Sequence, residues 1–422
     1  MPKPRINLFL NVGRKNEDAM ACMPFSLQSL DCFDLNNIKE ALEQAINEEI
    51  TKLLSNAKHK ETFMRAGCVM SLAVVLPQGV VWVSIGDAFV ALSRKRSNDN
   101  WDNFKNISER HTYDASEGER ARLDKLQYSS GCNVQLRYKP AKTRNVLQHT
   151  LEKIELEPTR AIGDTIFSTH LSHKVSVGVQ PFEPGLDYHV FVASDGFQSA
   201  VVDRPYNLAN QLNNLDALER QTPLLSAANK LHEEANETDD MSGLLYSDVN
   251  QNKSCGAILL VCDGHGINQQ NGARAVQIVI PHIFNAVCAV LAKHCQLVFG
   301  EGRVCMPQIN SKKLTVATLK VDTNHRLKTA NRQSFSGQYK ETIRLIFQAL
   351  AEERQPSTLP PEAASSPRCP RDTSAADELS PLVRERRKRP PAVMFQAVAP
   401  QNDEVAPLIA DEDRGRNCCC MQ

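Results

Sequence analysis

The chain has 422 residues, 41% of them hydrophobic, with 49 basic and 49 acidic side chains and a formal net charge of zero. That length suits one large domain or two ordinary ones, and zero net charge excludes bulk electrostatic attraction to nucleic acid as the basis of function. None of the 13 cysteines forms a CxxC pair, which argues against a zinc ribbon or a thioredoxin-like site.

Taken in chain order, the elements mix helices and strands. The opening "MPKPRINLFLNVGRKNED" holds a short apolar patch with no small-residue cleavage site after it, so it reads as a strand rather than a signal peptide. Ile38, Leu42, Ala45, Ile46, Ile50, Leu53 and Leu54 recur at helical spacing. "GCVMSLAVVL" (67–76) and "GVVWVSIGDAFVAL" (79–92) read as two strands of a hairpin around a "PQG" turn. "DYHVFVASDG" (187–196) is a strand running into an acidic turn, and "CGAILLVCDGHG" (255–266) repeats that design. A long apolar helix is predicted over about 273–299, kinked or restarted at Pro281. Its interruptions at Pro281, His282, Asn285, Lys293 and His294 favour a buried helix over a membrane span. A last amphipathic helix is predicted over about 338–353. The pattern is α+β with several hairpins, not alternating βαβ units. Scattered cysteines inside apolar runs, such as Cys68, Cys262 and Cys288, read as small buried hydrophobes of a reducing cytosol.

Strands in this sequence repeatedly end in acid-plus-glycine turns. Glu17-Asp18 follows the first strand, Asp87 lies in "SIGDAF", Asp195 in "ASDGF", Asp239-Asp240 in "NETDDMSGLL" and Asp263 in "CDGHG". Carboxylate oxygens are the hard ligands that Mg²⁺ and Mn²⁺ prefer, and an adjacent glycine lets the backbone turn tightly beside them. Each motif alone is an ordinary turn. Arg14 alone is a surface arginine, His265 alone a loop histidine, and Asp164 in "RAIGD" reads as structural, closing a turn. The joint occurrence at strand ends is the signal.

The set "GRKNEDAM", "VSIGDAFVAL", "EPTRAIGD", "VFVASDGF", "TDDMSGLL" and "VCDGHG" resembles the motif series of the metal-dependent serine/threonine protein phosphatases, the PPM family. "HTYDASEGERARL" (111–123) resembles that family's segment between the GD and RxxGD motifs. The likeness covers roughly residues 8–300. In the family DGHG comes second; here it comes last, so one strand–helix unit looks transposed to the C-terminal side. It can complete the same sheet if its connection, read as about a dozen residues from Gly243 to Ser254 and ~35 Å when extended, reaches.

The resemblance implies a four-layer α-β-β-α sandwich of two antiparallel sheets with two Mg²⁺ or Mn²⁺ ions between them. It makes Asp18 and Asp263 the main metal ligands, with the Gly264 carbonyl assisting. Asp195 and Asp239 complete the sites, and Glu17 acts through a water. Arg14 grips the substrate phosphate with its planar fork, and His265 protonates the leaving serine or threonine oxygen. Two departures stand out. Ser199 replaces an acid associated with a third metal near Asp87, and Asp240 stands where the family has asparagine.

Composition shifts near residue 354: the tail holds ten of the 22 prolines and reads as a disordered linker. The expected domains are a phosphatase domain (1–353), a Pro-rich linker (354–417) and a lipidation motif (418–422). Cys419-Cys420-Met421-Gln422 fits C-a-a-X with a farnesyl-type ending, so Cys419 is the expected prenylation site and Cys418 an acylation site. One lipid chain anchors weakly, so a second signal is expected. "RERRKR" (384–389) is one candidate, though "DED" (411–413) weakens it. The expected partners are a phosphoprotein substrate, a eukaryotic prenyltransferase and the cytoplasmic face of a membrane, with no nucleic acid. The chain then belongs to a eukaryote or is a bacterial effector delivered into one. The rival reading is a catalytically inactive phosphoprotein-binding scaffold; a third is a hydrolase of small phosphoesters.

Overall fold

A computed structural model describes residues 5–11, 17–28, 34–96, 101–126, 133–140, 143–197, 240–248, 254–267, 269–308, 314–322 and 327–335. Strand β1 (Arg5–Asn11) comes first, and β2 (Ala19–Leu27) begins directly after Glu17 and Asp18. Helix α1 (Leu35–Ser55) starts at Asp34, whose side chain accepts the Asn36 N–H at 2.9 Å. It buries Ile38, Leu42, Ile46, Ile50 and Leu53, the face its periodicity predicts. A short α2 (Lys60–Met64) leads into β3 (Ala66–Leu76), buried at every position, which turns back as β4 (Gly79–Ile85).

The strand predicted over 79–92 is two strands in different sheets. Gly86 adopts φ +90°, a conformation open to glycine, and β5 (Phe89–Arg96) continues beyond it in the other sheet. Asp87 therefore sits at the crossing from sheet to sheet. Then come β6 (Lys105–Asn106), α3 (Glu117–Leu126), β7 (Val134–Lys139), β8 (Arg144–His149), β9 (Ile154–Leu156), β10 (Ile162–Gly163), β11 (Ser176–Pro181) and β12 (Leu186–Ala193). The last stretch holds β13 (Met241–Asp248), β14 (Cys255–Gly266), α4 (Gln269–His294), β15 (Leu297–Phe299), β16 (Gly302–Pro307), β17 (Leu314–Val321) and β18 (Leu327–Phe335).

Every pairing between these strands is antiparallel. One sheet runs β1-β13-β12-β5-β6 and the other β11-β4-β3-β14-β2-β16-β17-β18, while β7-β8-β9 form a small third sheet. The two large sheets face each other through Met20, Cys22, Ala73 and Leu259 on one side and Val90, Val190, Val192, Leu244 and Tyr246 on the other. Helices α1 and α4 cover the outer face of the larger sheet, where Ile258, Leu260 and Cys262 meet Val276, Val279, Ile283 and Phe284. The class is α+β, as expected. No described helix forms a layer on the smaller sheet's outer face.

Strand β14 lies between β2 and β3, although it follows both by more than 170 residues of chain. The loop before β14 and a restart of the long helix at Pro281 need correction, and the stretch after residue 300 is new. Strand β13 runs on through Asp248, so residues 249–254 connect it to β14 in place of a dozen-residue loop. Pro281 lies inside one helix, α4, which is long and apolar enough to cross a membrane but buries Ala275, Val279, Ile283, Phe284, Val287 and Leu291 in the core. Packing on both α1 and the sheet offsets the hydrogen bond that the proline removes. Residues 300–337, unassigned from the sequence, contribute β16–β18 to the large sheet. The helix predicted over 338–353 lies outside the described residues. The chain divides into two units, Met1–Thr358 and Leu359–Gln422, and the second lies wholly outside them, with the linker and Cys418–Cys420.

The described cysteines are free thiols. Burial pushes Cys22, Cys288 and Cys305 up to about 12, so they stay protonated and act as small apolar side chains. Leu260 reports on the placement of β14, since it is wholly buried against the helices. Leu260→Ala should cost about 3 kcal/mol in a guanidinium titration; a loss below about 1 kcal/mol would mean that β14 does not occupy the sheet centre.

Candidate active site

The site is built by register. Along β14, Ile258, Leu260 and Cys262 face the helices, while Ala257, Leu259 and Val261 face the opposite sheet. Side chains alternate with period two, so Asp263 joins the inner face. Along β2, Met20 and Cys22 face inward, which puts Asp18 on that face too. Cys262 pairs with Ala19, so Asp18 and Asp263 come next to each other at the end of the same ladder. Asp18 is buried and Asp263 half-buried.

Gly264 continues this line. A Cβ there would stand 2.7 Å from the Glu17 carbonyl oxygen, so only glycine lets the two chain segments close up. Buried Glu17 thus lies against the DGHG stretch, which is the last four residues of β14 paired with β3 and not the turn expected from the sequence.

The smaller sheet supplies the facing acids. Asp195 begins a 3-10 turn, Asp195–Phe197, at the end of β12. Ser194 holds that turn to β13: its N–H donates to the Ser242 carbonyl and its Oγ accepts from the Ser242 N–H, both at 2.9 Å. Two hydrogen bonds then tie sheet to sheet. The Ser71 hydroxyl donates to the Ala193 carbonyl at 3.3 Å, and the Glu17 N–H donates to Asp240 Oδ2 at 2.7 Å. Asp240, which stands where the resemblance implies an asparagine, uses its carboxylate as a backbone clasp. Arg14, Asp239 and Ser199 lie outside the described residues.

Asp87, Asp195, Asp263, Gly264 and His265 line one cavity of about 310 Å³. Its other wall comes from the three-stranded sheet, which brings Lys139 and Arg144 with their partners Glu155 and Glu157. Nothing in the sequence marked Lys139, Arg144 or Glu155: "RYK" and "TRNV" carry no motif, and Glu157 opens "EPTRAIGD" without being singled out, so only folding lays the four beside the acids. Burial, then Asp195, then Glu157 push the Asp87 carboxyl up to about 8, against the opposing pull of Arg110 and His265. Glu157 is itself raised, chiefly by burial.

The cavity therefore gathers more negative charge than its own cations relieve, which is the electrostatic setting a divalent cation fits. The donors are all oxygens, the type hard cations take. Among the described residues, no group of three His, Cys, Asp or Glu side chains is set closely enough to hold a metal ion.

A second network holds the loops behind the cavity. The Gly86 N–H donates to His111 Nδ1 at 3.1 Å, and the His111 N–H donates back to the Gly86 carbonyl at 2.7 Å. Buried Glu119 accepts from Arg160 Nε at 2.8 Å and from Arg122 at 2.6 Å. Asp164 lies next to His265: Nε2 and Oδ2 are 2.5 Å apart.

The family pattern described as "Protein phosphatase 2C" matches residues 22–235, just over half of the chain. The chain belongs to this family, the class of protein serine/threonine phosphatases. The match leaves out Glu17, Asp18 and all of β14. No curated protein matches the chain. Among solved structures, it is similar to a serine-threonine phosphatase 2C from Toxoplasma gondii at 15% identity and a TM-score of 0.39, over 58% of this chain and 95% of that one. A serine/threonine phosphatase from S. agalactiae gives 14% identity and a TM-score of 0.36, over 58% of this chain and 98% of that one. Likeness this loose carries no weight beyond the family match.

The histidine of the second network makes stability depend on pH. Burial, then Arg160, lowers His111 from 6.5 to about 4. A depressed pKa means that the unfolded chain binds the proton more readily. The stability that His111 contributes is therefore complete above pH 6.5 and is lost as pH falls toward 4. The destabilisation by His111→Gln should be larger at pH 7.5 than at pH 5 in urea titrations. A difference that is equal at both values would show that His111 is not held neutral.

Proposed function

We propose that the chain hydrolyses phosphoserine and phosphothreonine in proteins with the help of two Mg²⁺ or Mn²⁺ ions. What carries the reading is the register that sets Asp18 beside Asp263 on the inner face, with Asp195 in the same cavity as Asp263. Asp18, Asp195, Asp239 and Asp263 would hold the cations, with the Gly264 carbonyl assisting and Glu17 acting through a water. The bound cations would supply an acidified water and neutralise charge on the phosphoryl group.

The chain's own residues would do the rest. Arg14, three residues before Glu17 in the sequence, would orient the phosphate through two parallel N–H donors. His265, lining the cavity, would hand a proton to the leaving oxygen. Lys139 and Arg144, paired with Glu155 and Glu157 on the opposite wall, would offer their N–H donors to a phosphorylated substrate. Buried walls between the sheets limit water around the reacting atoms.

The inactive-scaffold reading draws on Asp240, yet that residue has a task of its own, accepting the Glu17 N–H. Asp263→Asn should lower Mn²⁺-dependent turnover of a phosphoserine peptide by about 100-fold or more, the scale set by losing several kcal/mol of charge stabilisation. Equal turnover by parent and variant would end the proposed mechanism. Calorimetric titration of the parent with Mn²⁺ supplies a readout independent of activity: two-site binding supports the enzyme, and no binding supports the scaffold.

Membrane attachment through Cys419, with Cys418 as a second acylation site, is the part of the proposal that rests on sequence motif alone. In a eukaryotic cell, Cys419→Ser should move the protein from the membrane fraction to the soluble one. An unchanged distribution would remove the lipid anchor.

A further inference from the structure

The contact between Asp164 and His265 crosses a strand. Strand β3 has β14 on one side and β10 on the other. In this arrangement Gly67 of β3 pairs with His265 on one flank and with Gly163 on the other. Asp164, the residue after Gly163, reaches back over Gly67 to the imidazole. The passage exists because Gly67 has no side chain: a Cβ there would stand 2.2 Å from Asp164 Oδ2.

The backbone around Asp164 is specialised for this reach. Asp164 takes φ +50°, a left-handed conformation that a non-glycine residue adopts only when its surroundings hold it there. Its N–H donates to the Ala66 carbonyl at 3.0 Å, and Gly163 before it has φ +111°. The aspartate is buried, while His265 is half-buried and lines the cavity with Asp195 and Asp263. The remote segment "EPTRAIGD" thus delivers a carboxylate to the histidine of "CDGHG", 101 residues later.

We infer that Asp164 is the positioning residue for His265, aimed over Gly67, and that it selects which ring nitrogen serves the leaving group. This rests on the phosphatase reading above. A carboxylate only accepts, so Nε2 carries the hydrogen that Asp164 receives. The nitrogen that can hand over a proton is then Nδ1. In the transfer, a water oxygen bonds to phosphorus as the bond from phosphorus to the serine or threonine oxygen breaks. The leaving oxygen takes the Nδ1 proton of the imidazolium, and the ring keeps its Nε2 hydrogen on Asp164. The surplus proton of the water passes to solvent, which later returns one to the ring.

Such a role has a signature that a merely structural one lacks. An alkoxide leaving group needs the proton, whereas p-nitrophenolate departs without it. The test measures kcat and KM in Mn²⁺ on a phosphoserine peptide and on p-nitrophenyl phosphate. Asp164→Gly removes the carboxylate while suiting the positive φ, and Asp164→Asn keeps a neutral acceptor of the same shape. Asp164→Gly should lower kcat on the peptide ~30-fold more than on p-nitrophenyl phosphate, with peptide KM changed less than ~3-fold. Asp164→Asn should show the same split at about 5-fold. Equal losses on both substrates, or no loss, in either variant that melts cooperatively would overturn the inference. A parent that hydrolyses neither substrate would instead overturn the phosphatase reading on which it rests.

Discussion

The whole site depends on one strand being in the right place and register. Strand β14 fills the gap between β2 and β3, and its pairing with β2 sets Cys262 opposite Ala19. Because side chains alternate strictly, a slip of one residue would turn Asp263 into the helix-facing core and present Cys262 to the cavity. The apolar pattern forbids that slip. Ile258 and Leu260 match the helices, and Leu259 and Val261 match the facing sheet, so both faces of β14 resist a shift. Each fully buried aliphatic side chain contributes about 1.5–3 kcal/mol, so the register is specified by several such terms acting together.

That constraint explains why a late strand can serve an early motif. A sheet is indifferent to chain order as long as the strand's two edges find partners and its faces find cores. The connection from β13 to β14 is short, and β13 belongs to the facing sheet, so the chain steps directly from one wall of the sandwich to the other. At the other end of β13, Asp240 just before the strand clasps the N–H of Glu17 just before β2. The acids of both walls are thus held at one end of the sandwich by hydrogen bonds that cross it.

Burial does the electrostatic work at that end. Asp87 is pushed up to about 8 by its low-dielectric surroundings and by the carboxylates of Asp195 and Glu157. Such crowding costs stability unless a cation relieves it, and structures keep it where function requires it. The second network, His111 with Gly86 and Glu119 with Arg122 and Arg160, supplies a rigid backing made mostly of complete ion pairs and hydrogen bonds. The three-stranded sheet adds Lys139 and Arg144, which temper the negative charge at the cavity wall.

The sequence by itself determined a good deal. Periodicity marked the buried face of α1, and apolar runs marked the strands that became β12 and β14. The acid-plus-glycine motifs singled out Glu17, Asp18, Asp195, Asp263 and Gly264, and the fold lays these at one end of the sandwich. Local patterns sufficed there because alternation and turn chemistry act over a few residues. Only the tertiary structure decided the crossing at Gly86, the strands after residue 300, the ion-paired wall from β7 to β9 and the bond between Asp164 and His265. These depend on which strand lies beside which, a choice set by long-range packing. Asp164 shows the difference most plainly: a turn aspartate by every local sign, it meets a histidine because a glycine on the strand between them leaves the space open.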